Sequence, residues 1–181
     1  MQIMSEILPG AWLIKLNHFQ DARGAFVKTF SRSALNELLP EQTFDFREEF
    51  YSFSKRNVIR GMHFQLPPHD HTKLVYCAAG AVLDVLLDLR PGVGYGHHAS
   101  VRLEADAPQL LWIPKGVAHG FLSLTDDSLM VYKTSTEHAP SHDAGVSHDS
   151  FGFDWGVADP VLSVRDLTHP KLADFNSPFS P

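Results

Sequence analysis

Arg60-Gly61-Met62-His63-Phe64-Gln65 places a cation, a glycine, an imidazole and an amide inside one short apolar stretch that begins at Val58-Ile59. A guanidinium fork suits a phosphate group, and an imidazole moves protons near neutral pH. Together they suggest a site that does acid–base chemistry on a phosphorylated substrate. Arg60 and His63 are three residues apart, so on a regular strand they face opposite ways. A bulge at Gly61 brings them to one face. The same stretch also fits a buried strand whose His is hydrogen-bonded for structural reasons.

The elements that must position these groups are mostly strands. Trp12-Leu13-Ile14 is a short strand. Asp21-Ala22-Arg23-Gly24 has turn chemistry, and Phe26 and Phe30 mark the strand after it. Ser33 to Leu39 is a short helix that stops before Pro40. Phe44 to Phe53 is a strand, Lys55-Arg56-Asn57 a turn, and the His63 strand follows. From Lys73 to Lys133, runs of four to eight apolar-rich residues recur about every ten residues, punctuated by Gly80, Gly92 and Pro114. That rhythm predicts an all-β sandwich or barrel with short peripheral helices. After Pro140 the chain turns to loops rich in His, Asp, Pro and Phe. No linker or repeat interrupts residues 1–181, so a single domain is expected.

Composition narrows the function. The net charge of −6 and the lack of a basic cluster exclude nucleic acid as the main partner. No apolar run reaches the length of a membrane span. The N-terminus lacks a basic region followed by an apolar core, so no signal peptide is expected. Cys77 is the sole cysteine, which fits a reducing, cytoplasmic setting. Its apolar neighbours argue against a nucleophile. The eleven histidines ask for a metal or an acid–base explanation.

His69-Asp70-His71 followed by His119 has the spacing of a cupin, a small jelly-roll barrel. Metal-binding cupins add a Glu to that first segment. Here the chain continues Thr72-Lys73-Leu74-Val75-Tyr76, and the cation of Lys73 repels a divalent ion. His119 equally fits a core His bonded to backbone.

Six spaced motifs carry a specific resemblance. They are Arg60–Gln65, Lys73-Leu74-Val75, Asp84–Arg90, Trp112–Phe121, Tyr132-Lys133 and Leu162–Asp166, preceded by Asp21-x-Arg23-Gly24-x-Phe26. In that order, from about Trp12 to Asp166, the chain resembles the dTDP-4-dehydrorhamnose 3,5-epimerases of the cupin superfamily. The resemblance implies a metal-free, cofactor-free jelly-roll homodimer that epimerises a nucleotide-diphosphate 4-keto-6-deoxyhexose. It also implies a place in dTDP-rhamnose biosynthesis, which feeds lipopolysaccharide O antigen. His63 matches the base, Asp166 the carboxylate that orients it, Lys73 the cation near the developing enolate, and Tyr132 the acid on the opposite face. His119 matches a second imidazole near the ketone. Arg23 and Arg60 match diphosphate-binding positions, and Phe26 and Gln65 match substrate positions. This is the chemistry that epimerisation needs: a base, a stabilised enolate oxygen and a proton donor across the ring. Individually, Tyr132 also fits an amphipathic strand, Lys73 a solvated charge, Asp166 a cap, and the two arginines salt bridges with Asp21 or Glu48.

Three positions depart from the family pattern. Lys28 stands where a Glu is usual, Glu48 where a Gln is usual, and Phe50 where an Asn is usual. All three lie at positions expected around the nucleotide and sugar, so they bear on specificity. A CDP- or GDP-linked 4-ketohexose, a metal-dependent cupin enzyme and a non-catalytic sugar-binding cupin are the alternatives.

Overall fold

The computed structural model describes residues 1–180. Thirteen strands follow in chain order: β1 (Gln2–Leu8), β2 (Ala11–Lys15), β3 (Asn17–Asp21), β4 (Gly24–Lys28), β5 (Glu48–Ser54), β6 (Ile59–Gln65), β7 (Lys73–Ala79), β8 (Ala81–Asp88), β9 (His98–Glu104), β10 (Gln109–Ile113), β11 (Val117–Ser123), β12 (Ser128–Thr134) and β13 (Asp143–Gly145). They form a six-stranded sheet in the order β1-β2-β10-β7-β12-β5, a five-stranded sheet in the order β13-β6-β11-β8-β9, and the separate hairpin β3-β4. Pairing between neighbouring strands is antiparallel throughout both sheets. This is the expected all-β jelly-roll barrel.

Period-two alternation sorts the side chains into layers. In β10, Leu111 and Ile113 face inward while Leu110 and Trp112 face outward. In β8, Val82 and Leu86 face inward and Val85 and Leu87 outward. The inner cluster fills the space between the sheets. The outer face of the six-stranded sheet is covered by helix α1 (Arg32–Leu38), through Leu35, and by Phe44. The outer face of the five-stranded sheet is covered by the C-terminal segment, through Phe151, Trp155 and Phe179. Each such aromatic or leucine side chain contributes about 1.5–3 kcal/mol by leaving water.

Three sequence expectations shift. The strand expected from Phe44 begins only at Glu48. Phe44 instead packs edge-on against Phe30 and at a tilt against Trp112, outside the sheet. Strand β1 and the first half of the β3-β4 hairpin were not foreseen, because their residues are almost all exposed and lack alternation. The three residues of β13 lie in the stretch read as loop. Helix α1 matches its expected range to within one residue, with Ser31 as its N-cap.

Candidate active site

Strand β6 sets the geometry. Met62 and Phe64 point outward into the cluster beneath the C-terminal segment, so His63 and Gln65 point inward. Ile59 also points outward, which leaves Arg60 inward on the other side of Gly61. The pairing with β11 shows how the parity is reset: His119 lies opposite His63 and Phe121 opposite Arg60, so that Gly120 alone faces both Gly61 and Met62. This is the bulge expected at Gly61. Gly61 has φ +135, and a Cβ there would come within 2.5 Å of the Gly120 Cα. Only glycine fits both demands.

The inward residues at this end of the barrel are polar, and they line a cavity of about 350 Å³. Arg60, His63, Gln65, Lys73, His119 and Tyr132 all line it, with Glu48, Phe50 and Ser52 from β5. Asp166 reaches His63 from the far end of the chain. It is buried, in a short 3₁₀ turn (Asp166–Thr168) whose first N–H is accepted by Ser163 Oγ. His63 Nε2 lies 2.6 Å from Asp166 Oδ1. The carboxylate accepts that contact, so Nε2 carries the proton and Nδ1 is the nitrogen left to act as a base. Burial lowers the His63 pKa below the usual imidazole value, against the opposing pull of Asp166. The imidazoles of His63 and His169 hold the Asp166 carboxyl, despite its burial, well below the usual carboxylate range.

Lys73 Nζ donates to the His63 carbonyl at 3.1 Å. Its pKa is pushed down to about 8, chiefly by burial. Tyr132 is buried, and that burial raises its phenol pKa well above the usual value. Its hydroxyl lies 3.1 Å from Ser52 Oγ, and the Phe50 ring stacks on it at 4.8 Å. His119 Nε2 meets Asp84 Oδ2 at 2.8 Å, with both side chains buried, so its partner is a carboxylate rather than backbone. Arg60 donates from Nε to Ser54 Oγ and from Nη2 to the Phe53 carbonyl. Gln65 Oε1 accepts from Ala139 N–H at 2.7 Å while its Nε2 donates to the His69 carbonyl at 2.8 Å, so it also ties down the loop between β6 and β7.

Arg23, Phe26 and Lys28 sit elsewhere. They lie on the exposed β3-β4 hairpin and line no part of this chain's cavity. Arg23 is 90% exposed and pairs with Asp21, the salt bridge weighed against its substrate role. Glu48 does line the cavity, and its Oε2 accepts from His138 N–H. The histidines with cupin spacing are not gathered. The ring of His69 packs on His142, His71 bonds Thr136, and His119 is held by Asp84. Among the described residues, the three His, Cys or carboxylate side chains whose polar atoms all lie within 4.8 Å of one another are His63, Asp166 and His169, none of them from the cupin-spaced set.

No role follows from the sequence for Asp84, Ser52, Asp143, Arg165 or His169, and His71 enters there only through its cupin spacing. Asp84 carries a signal, being a charge at an inward position within the apolar run of residues 81–87. Arg165 and Asp143 pair at 2.7 Å across the cavity rim, which no local pattern announces.

An antiparallel jelly roll with an imidazole–carboxylate pair, a buried lysine and a buried phenol around one cavity defines a cupin-type acid–base enzyme. Residues 5–174 match the family model described as dTDP-4-dehydrorhamnose 3,5-epimerase. The dTDP-4-dehydrorhamnose 3,5-epimerase of Escherichia coli K12 is 38% identical over 170 residues, covering 92% of this chain and 91% of that one. The rmlC epimerase of Mycobacterium tuberculosis superposes with a TM-score of 0.91 at 32% identity, covering 96% of this chain and 90% of that one. The 3′-monoepimerase ChmJ of Streptomyces bikiniensis, solved with dTDP-quinovose, superposes with a TM-score of 0.87 at 30% identity, covering 96% and 88%. The chain belongs to the dTDP-4-dehydrorhamnose 3,5-epimerase family and is an isomerase of that class.

Proposed function

We propose that this chain inverts carbon 3 and carbon 5 of dTDP-4-keto-6-deoxyglucose, with His63 as base and Tyr132 as acid. The observation that carries this is the His63–Asp166 contact of 2.6 Å at a cavity shared with Lys73 and Tyr132. His63 Nδ1 takes the proton from a carbon next to the ketone. The C–H electron pair moves into a carbon–carbon double bond, and the carbonyl pair moves onto oxygen. The Lys73 ammonium stabilises that oxyanion. Asp166 stabilises the imidazolium that has formed. Tyr132 then gives its phenolic proton to the opposite face of the same carbon, and the enolate returns to the ketone with inverted configuration. Solvent restores the phenol and removes the proton from His63. The raised pKa keeps Tyr132 protonated until the step that uses it. His119, held by Asp84, lines the same cavity and supports the site from β11. Arg60 faces the diphosphate, and Gln65 holds the adjoining loop.

The functional unit is a homodimer in the cytoplasm. Phe50, Tyr51 and Phe53 are exposed on β5, an edge strand, and Phe19 and Phe26 are exposed on the hairpin. Arg23, Phe26 and Lys28 lie outside this chain's own cavity, so a substrate role for them requires the hairpin of a second copy. A monomer of full activity in light scattering would remove that part of the reading. A second reading, a different nucleotide on the same sugar chemistry, is favoured by Glu48 and Phe50 at the cavity wall.

The test is solvent deuterium wash-in, followed by proton NMR, across dTDP-, CDP-, GDP- and UDP-4-keto sugars. The dTDP substrate should gain one deuterium at each inverted carbon. His63→Ala should abolish wash-in, and Tyr132→Phe should keep part of the exchange while losing inversion. Full exchange in the His63 variant would overturn the base assignment.

A further inference from the structure

The Asp166 carboxylate faces two imidazoles. His63 Nε2 is 2.6 Å from Oδ1, and His169 Nε2 is 3.5 Å from the same oxygen. His169 Nε2 is buried and makes no hydrogen bond, so the 3.5 Å approach to Asp166 is a charge-range contact, and the side chain is only 10% exposed. The two rings meet edge to face, 5.5 Å apart. The position of the His169 ring is imposed from behind. Gly145 in β13 pairs with His63, and a Cβ at Gly145 would come within 2.4 Å of His169 Nε2. The chain just beyond is stitched down by Ser147 N–H on the Pro170 carbonyl and Leu172 N–H on Ser150 Oγ. A glycine therefore makes room for a ring whose free nitrogen aims at a carboxylate already in use.

We propose that His169 is a positioning residue that shares the charge of Asp166 with His63 and so sets the pH at which His63 can accept a proton. The inference rests on the reading of His63 as the base. A carboxylate that serves one imidazole spends its whole charge in raising that ring's basicity. A second N–H aimed at the same oxygen draws part of the charge away. His63 then stays neutral, and competent as a base, to lower pH than a simple pair would allow. The other groups facing His63 are Lys73 from β7, Arg165 held on Asp143 of β13, and His119 of β11, engaged by Asp84. Of these neighbours, His169 alone contacts the carboxylate that holds His63.

His169→Phe keeps the ring and removes the nitrogen, whereas His169→Gln keeps an N–H at similar reach. Two quantities are read for each: the NMR titration midpoint of the His63 ring in substrate-free protein, and the acid limb of the deuterium wash-in profile. In the Phe variant both should move up by about half a unit to one unit, while the Gln variant stays within about 0.3 unit of the parent protein. Should the Phe variant not fold, His169→Leu gives the same reading. An unmoved midpoint in the Phe or Leu variant, or a Gln variant displaced as far, overturns the proposal. A parent protein without wash-in would remove the base assignment, and the NMR midpoints would still decide whether the carboxylate is shared.

Discussion

Lys73 shows how a single buried side chain sets a working range. It lies at the cavity with its ammonium on the His63 carbonyl, and burial pushes its pKa down to about 8. The base beside it must be neutral to act, and its pKa is also lowered. Turnover should therefore rise with pH through a midpoint below the usual imidazole value of about 6.5. It should fall again near pH 8 as Lys73 loses the charge that steadies the enolate. Lys73→Arg offers a cation that cannot be titrated away in this range. A bell-shaped kcat/KM profile is expected for the parent protein, and for the Arg variant a lower plateau whose alkaline limb has moved up by more than about one unit. An alkaline limb unmoved by that exchange would assign the titration to another group. Removing the charge altogether, in Lys73→Met, should cost about 10²–10³ in kcat, the usual effect of losing one oxyanion-stabilising donor.

Strand β6 is the element on which the site depends, and its one irregularity was legible. Arg60 and His63 could share a face only across a bulge, and Gly61 is the residue there that can take φ +135 and lie against Gly120. Gly61→Ala should therefore destabilise the protein by about 2–5 kcal/mol, from backbone strain and overpacking together. Gly152→Ala is the control: its φ is +79 with nothing within 4 Å of the added methyl, so its cost should stay near 1 kcal/mol. Urea midpoints of the two variants decide it, and equal losses would mean that φ alone, not the approach to Gly120, requires the glycine. Most other strands announced themselves through alternation. Of those that did not, β1 and β3 present almost only exposed residues and β13 is three residues long, so no apolar period marks them. Asp166 was legible for a different reason. It pairs with a residue 103 positions away, which no local pattern encodes, and only the resemblance of its motif placed it. His169 had neither kind of signal, since its partner and the glycine behind it become visible only when the C-terminal segment is folded over β13.

As a whole the molecule is a barrel whose interior is apolar at one end and polar at the other, and burial at the polar end favours the neutral forms of His63 and His71. His71 is the clearest case. It lines the cavity, bonds Thr136 through Nδ1, and its Nε2 is buried without a partner. Burial first, then the nearby charges of Lys73 and Lys115, lower its pKa to about 3. In the unfolded chain the same imidazole titrates near 6.5. Between those two values the unfolded chain binds a proton that the folded protein refuses, so stability falls as pH drops from about 6.5 toward 3. His63 adds to the same trend, because its folded pKa is also lowered. Asp166, held well below the usual range, takes part only nearer pH 4, where unfolded carboxylates begin to protonate. His71→Gln removes one titrating group and leaves an uncharged side chain of similar reach. The urea midpoint of the parent protein should decline between pH 7 and pH 5, and that of the Gln variant should decline distinctly less, at one fixed protein concentration so that any association contributes equally. Parallel declines in the two proteins would show that the acid sensitivity does not arise at His71.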